Sequence, residues 1–216
     1  MPRITDITET RRGRYALFLD GEFAFSLDAE TFADAHLHID DALETWQAED
    51  LRAKSDTRRA LDKAMELLAL RDHAAGELYQ KLCRKFDPHS AAAAVAKAGE
   101  LGLLNDENFA RRRAAELLRK RKSRREILQD LAAKGIDRDT AAAAVEALAP
   151  EVGLDGEEAE DPDLVSARAL LERQYARKLA EGKTQQVAAA LARRGFSHTV
   201  IRAAMEEAKD GSVNEK

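Results

Sequence analysis

The sequence has few of the residues on which catalysis, metal binding and disulfide frameworks depend. Its single cysteine, Cys83, excludes an internal disulfide and suits a reducing compartment. No phosphate-binding loop, dinucleotide-binding glycine motif, zinc-protease motif or serine-hydrolase elbow occurs, and no Cys or His residues are paired at metal-ligand spacing. We therefore expect a protein that is not an enzyme and has no catalytic residues, no bound metal and no cofactor.

Aromatic residues and long apolar runs are also scarce. Aromatic side chains make up 5% of the sequence, whereas charged side chains make up 35%. No stretch of about 18 apolar residues is present, and the first residues lack the apolar core of a signal peptide. These absences predict a soluble cytoplasmic protein that is neither inserted in a membrane nor carried across one.

The histidines and the cysteine are the remaining candidates for chemistry. Cys83 follows Leu82 on an apolar helical face, which favours a packing role over a nucleophilic one. The dispersed histidines are His36, His38, His73, His89 and His198. They fall in predicted loops or at helix starts, where polar surface and capping roles are more common than catalysis.

The net charge of −5 conceals a division along the chain. Residues 1–56 hold 13 acidic and 6 basic side chains, and residues 149–163 hold 7 acidic side chains and no basic one. The rest of the chain is net +9. The chain therefore has basic segments joined to two acidic ones, and the partner of the basic segments is expected to be acidic.

A pattern of three short helices recurs three times, at spacings of 49 and 60 residues. The third helix of each unit begins at a good N-cap, which is Asp87, Asp137 or Ser197. Because each alanine-rich unit buries little apolar surface alone, we predict stacked units in an elongated array. The matching positions of the second helices are Glu77, Leu78, Leu82 and Lys85; Glu126, Ile127, Leu131 and Lys134; and Gln186, Val187, Leu191 and Arg194.

Residues 4–27 are predicted to form a β-hairpin arm. Asp20-Gly21 suits a two-residue type I′ turn. Pairing across this turn places Phe18 opposite Phe23, and Ala16 opposite Phe25. An isolated hairpin is only marginally stable, so a helix is expected to cover its apolar face. The segments that would complete the arm are Ile4–Ile7 as a third strand and Asp28–Ala35 or Asp40–Ala53 as a helix, the latter with Trp46.

The predicted fold is mainly α, an elongated tandem array of three three-helix repeats similar to helix-turn-helix domains, with an N-terminal β-hairpin arm. Prolines, glycines and acidic residues mark a flexible linker before the third repeat. The boundaries are 1–56 for the hairpin and helical arm, 57–104 for repeat 1, 105–148 for repeat 2, 149–163 for the acidic linker, 164–210 for repeat 3 and 211–216 for a frayed tail.

A run of positive charge is the most informative feature. Nine cations and one acid, Glu116, lie between Arg111 and Arg125, and a predicted capping box of Ser123 and Glu126 interrupts the run. An isolated run is often only a solvated helix face. Further cations at the end of the second helix of each unit instead predict a basic face that follows a phosphate backbone or an acidic protein groove. The candidate residues are Arg111, Arg112, Arg119, Lys122, Arg124, Arg125, Arg84, Lys85, Arg193 and Arg194.

Three groups of residues carry a resemblance to a known family. They are Leu104-Asn105-Asp106-Glu107 with Phe109-Ala110; Ile127, Leu131 and Lys134-Gly135-Ile136; and Leu191-Ala192-Arg193-Arg194-Gly195-Phe196 with Val200-Ile201. Together they resemble the bacterial regulatory protein family RecX, over about residues 57–208.

The resemblance implies a non-enzymatic inhibitor of the RecA recombinase. Such a protein would lie in the groove of the RecA filament on single-stranded DNA and reduce ATP hydrolysis, strand exchange and coprotease activity. It would act in homologous recombination, DNA repair and the SOS response. We expect a monomer with weak, salt-sensitive DNA binding. Two alternatives remain open: a stand-alone DNA-binding protein of low specificity, and a helical scaffold for another protein.

Overall fold

The chain is mainly α-helical, with one small β-sheet near its N-terminus. The computed structural model describes residues 1–148 and 160–213, with side chains through residue 208. The chain forms two compact units, Met1–Leu104 and Asn105–Lys216. Most of the predicted acidic linker, residues 149–159, and the last three residues of the predicted tail lie outside the described ranges.

A three-stranded antiparallel sheet begins the first unit. Its strands are β1 (Ile4–Glu9), β2 (Arg14–Leu19) and β3 (Glu22–Asp28), in the order β1-β2-β3. Asp20 and Gly21 both have positive φ angles, 49° and 88°, as a type I′ turn requires. The predicted hairpin, its turn and its third strand are confirmed.

The predicted strand register is right at one position and wrong at another. Phe18 lies opposite Phe23, with the ring centroids 5.9 Å apart in an edge-to-face arrangement. Phe25, predicted opposite Ala16, instead lies opposite Leu17, because the register shifts between Leu17 and Phe18. Such a bulge re-aims side chains, and here Leu17 and Phe25 are both buried in the core of the arm.

Two helices complete the arm, at both of the positions that the sequence allowed. They are α1 (Ala29–Ala35), capped by Asp28, and α2 (Thr45–Leu70). Helix α2 runs without a break past residue 57, the predicted start of repeat 1, because residues 45–70 contain neither proline nor glycine. The arm and the first repeat therefore share one helix.

The first repeat consists of the second half of α2, α3 (Ala75–Leu82) and α4 (Pro88–Glu100). As predicted, Asp87 caps α4, and its Oδ1 accepts hydrogen bonds of 3.0 Å from the backbone N–H groups of His89 and Ser90. The core of this repeat is made of small alanines and two leucines. Its buried members are Ala60, Ala64, Leu78, Leu82, Ala91 and Ala94.

The second unit contains the other two repeats, which confirms the mainly α repeat architecture. Repeat 2 consists of α5 (Asp106–Arg119), α6 (Arg124–Ala133) and α7 (Arg138–Glu146). Repeat 3 consists of α8 (Pro162–Leu170), a π-helical turn (Leu171–Tyr175), α9 (Ala176–Ala180), α10 (Thr184–Arg193) and α11 (His198–Val213). Helix α8 begins inside the predicted linker because Asp161 caps it and Pro162 suits a first helical turn.

Left-handed residues end several helices of the second unit. Gly135, Gly182 and Gly195 have φ angles of 80°, 75° and 86°, which glycine adopts without steric cost. Arg121 occupies the corresponding position after α5 with a φ of 59°, where a side chain is strained. Repeat 1 has no residue matching Gly135, so its segment from Leu82 to Asp87 is one residue shorter than the corresponding segment from Leu131 to Asp137.

Candidate partner-binding basic face

Helix α5 carries the first part of the predicted basic face. Asn105 caps the helix by accepting a 2.8 Å hydrogen bond from the backbone N–H of Asn108. Ala110, Ala114 and Leu117 recur at helical spacing and are buried. The opposite side of the helix therefore faces solvent.

The exposed side of α5 carries Arg111, Arg112 and Arg119, which we call the α5 stripe. Arg111 Nη2 lies 3.3 Å from Glu107 Oε2, but the two side chains are 63% and 75% exposed. An ion pair this exposed contributes little to stability and is easily exchanged for another partner. The stripe therefore presents planar guanidinium groups suited to carboxylates or phosphates.

Arg113 belongs to the same run of cations but has a structural role. Its guanidinium donates to both carboxylate oxygens of Asp130 on α6, at 2.8 and 2.9 Å, and to Glu116 at 2.9 Å. The hydrogen bonds with Asp130 raise the pKa of Arg113 and lower the pKa of Asp130. This bidentate pair connects α5 to α6. Arg113 is not one of the residues predicted for the basic face.

Repeats 2 and 3 meet at the first turn of α6. The buried Ser123 hydroxyl accepts from the N–H of Glu126 at 3.2 Å and donates to the carbonyl oxygen of Arg194 at 2.6 Å. The backbone N–H of Arg124 donates to Asp163 Oδ1 at 2.8 Å. Asp163 therefore satisfies an N–H group at the start of a helix that belongs to the preceding repeat.

Only half of the predicted capping box forms. Ser123 caps α6 as predicted, but Glu126 Oε1 pairs with Lys122 Nζ at 3.0 Å. Its Oε2 atom is buried without a hydrogen-bond partner. The neighbouring ammonium group attracts the carboxylate more strongly than the neutral backbone N–H of Ser123 would. Lys122, a member of the predicted basic face, is consequently half-buried.

The contact between the repeats also brings together cations that are distant in sequence. Ser123 and Arg194 are separated by 71 positions, yet each has arginines beside it. A Cβ atom placed on Gly195 would lie 3.1 Å from Cβ of Arg125, so the two chain segments are closely packed. We call the cations around this contact the basic joint. They are Lys122, Arg124, Arg125, Arg193 and Arg194.

One member of the basic joint, Arg194, also contacts side chains of its own repeat. Arg194 Nη2 donates to Gln174 Oε1 at 2.9 Å, and its guanidinium lies 5.9 Å from the ring centroid of Tyr175. Arg124 is half-buried, and its Nε atom has no hydrogen-bond partner. Arg125 and Arg193 are exposed. The role of these cations in partner binding stays a prediction.

Arg84 and Lys85, the other two predicted cations, belong to the first unit. Both are exposed and follow the end of α3. A hydrogen bond from Lys63 is the main cause of the lowered pKa of Glu66, and the positive charge of Lys85 lowers that pKa further. The structure thus places eight of the ten predicted cations on the second unit.

Residues 1–148 and 160–208 were also compared with the requirements of a metal site and of histidine or cysteine chemistry. No group of three or more His, Cys, Asp or Glu side chains in these ranges could hold a metal ion. His73 is buried, with Nδ1 2.9 Å from the carbonyl oxygen of Arg71 and Nε2 2.8 Å from Lys81 Nζ, and burial lowers its pKa. Cys83 packs half-buried against the core of repeat 1. None of the helices described is both long and apolar enough for a membrane span.

Comparison with protein families gives two matches. A model described as "RecX, first three-helix domain" matches residues 60–97, and one described as "RecX, second three-helix domain" matches residues 105–145. The matched segments include most of the helical residues of repeats 1 and 2.

Curated relatives carry the same family name. The chain is 29% identical to "Regulatory protein RecX" of Caldanaerobacter subterraneus over 67% of the chain and 74% of the relative. It is 27% identical to the Bacillus subtilis protein of that name, over 96% and 77% of the two chains. The match to the Lactobacillus gasseri protein, at 34% identity, covers 51% of the chain but only 42% of that relative.

Solved structures share the fold. A crystal structure of regulatory protein RecX superposes with a TM-score of 0.65 at 20% identity, covering 95% of this chain and all of the other. RecX from Lactobacillus salivarius gives a TM-score of 0.57 at 21% identity over 71% and 97% of the two chains. From the two domain matches, the named relatives and the shared fold, we conclude that this chain belongs to the RecX family of regulatory proteins.

Proposed function

We propose that this protein is a non-enzymatic regulator of the RecA recombinase. It binds in the groove of the RecA filament on single-stranded DNA and lowers ATP hydrolysis, strand exchange and coprotease activity there. Family membership supports a regulatory role. The observation that carries the rest is the convergence of cations from repeats 2 and 3 at the basic joint, in the same unit as the α5 stripe.

The physical argument rests on charge and repetition. A helical filament presents the same subunit surface at regular intervals, so a protein with repeated cationic sites contacts several subunits at once. Each exposed arginine contributes little alone, but linked contacts gain from a high effective concentration. Contacts between cations and an acidic groove or a phosphate backbone also speed association and weaken with added salt.

The decisive experiment is the single-strand-dependent ATPase activity of RecA, measured with increasing amounts of this protein. We expect inhibition well below one copy per RecA subunit. A first variant replaces Arg111, Arg112 and Arg119 with glutamine, and a second replaces Arg125 and Arg193. Both should inhibit less, because they remove exposed cations while leaving the buried contacts of the joint intact.

A matched control replaces three exposed arginines outside the predicted face, Arg138, Arg177 and Arg202, with glutamine. It makes the same change in net charge as the α5-stripe variant and should inhibit as the parent does. Circular dichroism of each variant checks that helicity is retained. Failure to inhibit RecA at any ratio would refute the proposal, and equal weakening by the control would refute the assignment to the basic face.

A stand-alone DNA-binding protein of low specificity is the second candidate. The same exposed cations favour it, since a basic face also suits phosphates. It predicts equal affinity for DNA with and without RecA, whereas a RecA regulator binds the filament more tightly than it binds DNA alone. A scaffold for another protein would bind neither, so a sedimentation assay with DNA, RecA and both separates the three functions.

A further inference from the structure

The tip of the first hairpin presents two adjacent arginines, Arg11 and Arg12, that the proposed function does not use. They occupy the centre of the turn between β1 and β2, and both are exposed. Thr10 and Gly13 flank them. We propose that this tip is a nucleic-acid contact that binds the phosphate backbone without reading sequence.

The turn holds the two arginines on a defined backbone. The N–H of Gly13 donates to the carbonyl oxygen of Thr10 at 2.9 Å, and the N–H of Thr10 donates to the carbonyl oxygen of Arg14 at 2.7 Å. Thr10 Oγ1 accepts a further hydrogen bond of 3.1 Å from the N–H of Arg14. Gly13 has a φ of 66°, which closes the turn without strain. A preformed loop loses less entropy on binding than a flexible one.

The base of the tip is anchored to the rest of the arm. The ring of Tyr15 stacks on that of Phe32 in α1, with centroids 4.2 Å apart. The guanidinium of Arg14 donates to the carbonyl oxygen and the hydroxyl of Ser26 on β3. These contacts are next to the turn, so Arg11 and Arg12 project from a supported strand pair.

The other cations of the arm are engaged or lie elsewhere. Arg3 donates to the carbonyl oxygen of Asp40 at 2.7 Å, and Lys54 pairs with Asp50 at 2.7 Å. Within the described residues, neither Arg11 nor Arg12 has an acidic partner. Residues 1–56 are net −7, so two adjacent cations at the tip stand out from their surroundings.

The composition of the tip favours phosphate over a protein partner. Residues 10–13, Thr-Arg-Arg-Gly, contain no aromatic or aliphatic side chain that would fill a pocket on another protein. The guanidinium fork matches phosphate oxygens, and it carries no base specificity in a backbone contact. Single-stranded and duplex DNA share this chemistry, and the test separates them.

The test measures the affinity of the full chain for labelled oligothymidine and for a duplex, over about 50–200 mM salt and without RecA. Changing both Arg11 and Arg12 to glutamine should reduce the slope of log affinity against log salt by about 1.4 on single strands, or by about 1.8 on duplex. The kind of DNA, single-stranded or duplex, on which the slope is reduced is the kind that the tip contacts. Replacement by lysine should keep the slope, because the charge remains.

The matched control changes Arg52 and Lys54, two exposed cations on α2, to glutamine and should leave the slope unchanged. The proposal is overturned if the Arg11 and Arg12 glutamine variant keeps the parent slope on both DNAs, or if the control lowers it equally. The proposal is also overturned if the lysine variant has a slope as low as that of the glutamine variant. Because RecA is absent, these outcomes do not depend on the proposed RecA regulation.

Discussion

The arm and the third repeat are attached to their neighbouring repeats in different ways. The arm shares helix α2 with repeat 1, and its sheet packs Ile4, Leu17 and Leu27 against α2 residues Ala48 and Leu51. The described contacts between repeats 2 and 3 are instead the hydrogen bonds of Ser123 and Asp163 and the close approach of Gly195. The first attachment consists of buried apolar side chains, and the second consists of hydrogen bonds and a close approach of two chain segments.

This difference predicts different responses to mutation. Apolar attachments lose stability in proportion to the volume removed, and they tolerate small shifts in position. A hydrogen-bonded joint is sensitive to single atoms, because a misplaced donor leaves a buried acceptor unsatisfied. Three substitutions, at Leu17, Gly195 and Ser123, separate the two kinds of attachment, and two with smaller expected effects, at Arg113 and Arg121, test interactions inside repeat 2.

Leu17→Ala should have the largest effect. Leu17 is fully buried in the core of the arm, so its truncation should lower the free energy of unfolding by about 4 kcal/mol. Urea denaturation followed by circular dichroism measures this loss. Phe23→Ala, at a residue that is 61% exposed, is the control and should cost well under half as much. Equal losses would show that the arm is not held by its apolar core.

Gly195→Ala should cost about 3 kcal/mol, from a strained backbone and from overpacking. The new Cβ would lie 2.9 Å from Ser123 Oγ and 3.1 Å from Arg125 Cβ, at a φ of 86°. Gly182→Ala is the matched control, because its φ is 75° but no atom lies within 4 Å of the added Cβ. It should cost about 1 kcal/mol by the same denaturation assay. Identical losses of unfolding free energy in the two variants would mean that the residues around Gly195 move to accommodate the new Cβ without cost.

Ser123→Ala should cost about 2 kcal/mol, because it removes both an N-cap and a hydrogen bond to repeat 3. Ser197→Ala removes an N-cap alone, the 3.2 Å bond to the N–H of Val200, and should cost about 1 kcal/mol. Hydrogen exchange should show faster opening of α10 only in the Ser123 variant. Unchanged exchange there would argue against a joint held by this hydroxyl.

Arg113→Met tests an ion pair inside repeat 2 and should cost about 1 kcal/mol at neutral pH. The hydrogen bond with Arg113 lowers the pKa of Asp130, so this stabilisation is present above the unfolded pKa of about 4 and disappears as the pH falls through the lower folded value. The difference in stability between parent and variant should therefore shrink with acidification. A difference that stays constant to the lowest measurable pH would contradict the assignment.

Arg121→Gly should have the smallest effect and the opposite sign. Arg121 has a φ of 59°, so glycine there relieves strain and should raise the free energy of unfolding by about 0.5 kcal/mol. Lys120→Gly, at a φ of −82° in the preceding position, should instead lower it by a similar amount. Calorimetry of both variants checks the two signs, and destabilisation by Arg121→Gly would show that its side chain makes a compensating contact.

Local signals predicted much of this structure correctly. The turn at Asp20-Gly21, the caps at Asp87, Asp137 and Ser197 and the mainly α repeats are all present. Each depends on the conformational preference of a few neighbouring residues, so a single sequence contains the information. The repeat pattern added the buried helix faces, because apolar spacing identifies which side of a helix is buried.

The candidate basic face was predictable only in part. The exposure of Arg111, Arg112 and Arg119 follows from the buried spacing of α5, which the sequence shows. The half-burial of Arg124 does not, since it depends on contact with repeat 3. Asp163 of that repeat lies 39 positions later in the chain and accepts a hydrogen bond from the backbone N–H of Arg124.

The sequence by itself therefore determined the helices, their caps, the hairpin and the side of each helix that is buried. Tertiary structure decided which charged residues are partners, such as Arg113 with Asp130, and which are brought together, such as the cations of the basic joint. The physical reason is distance along the chain. Caps and turns are local, whereas a charge can pair with any opposite charge that packing brings within a few ångströms, and a 35%-charged sequence offers many equivalent choices.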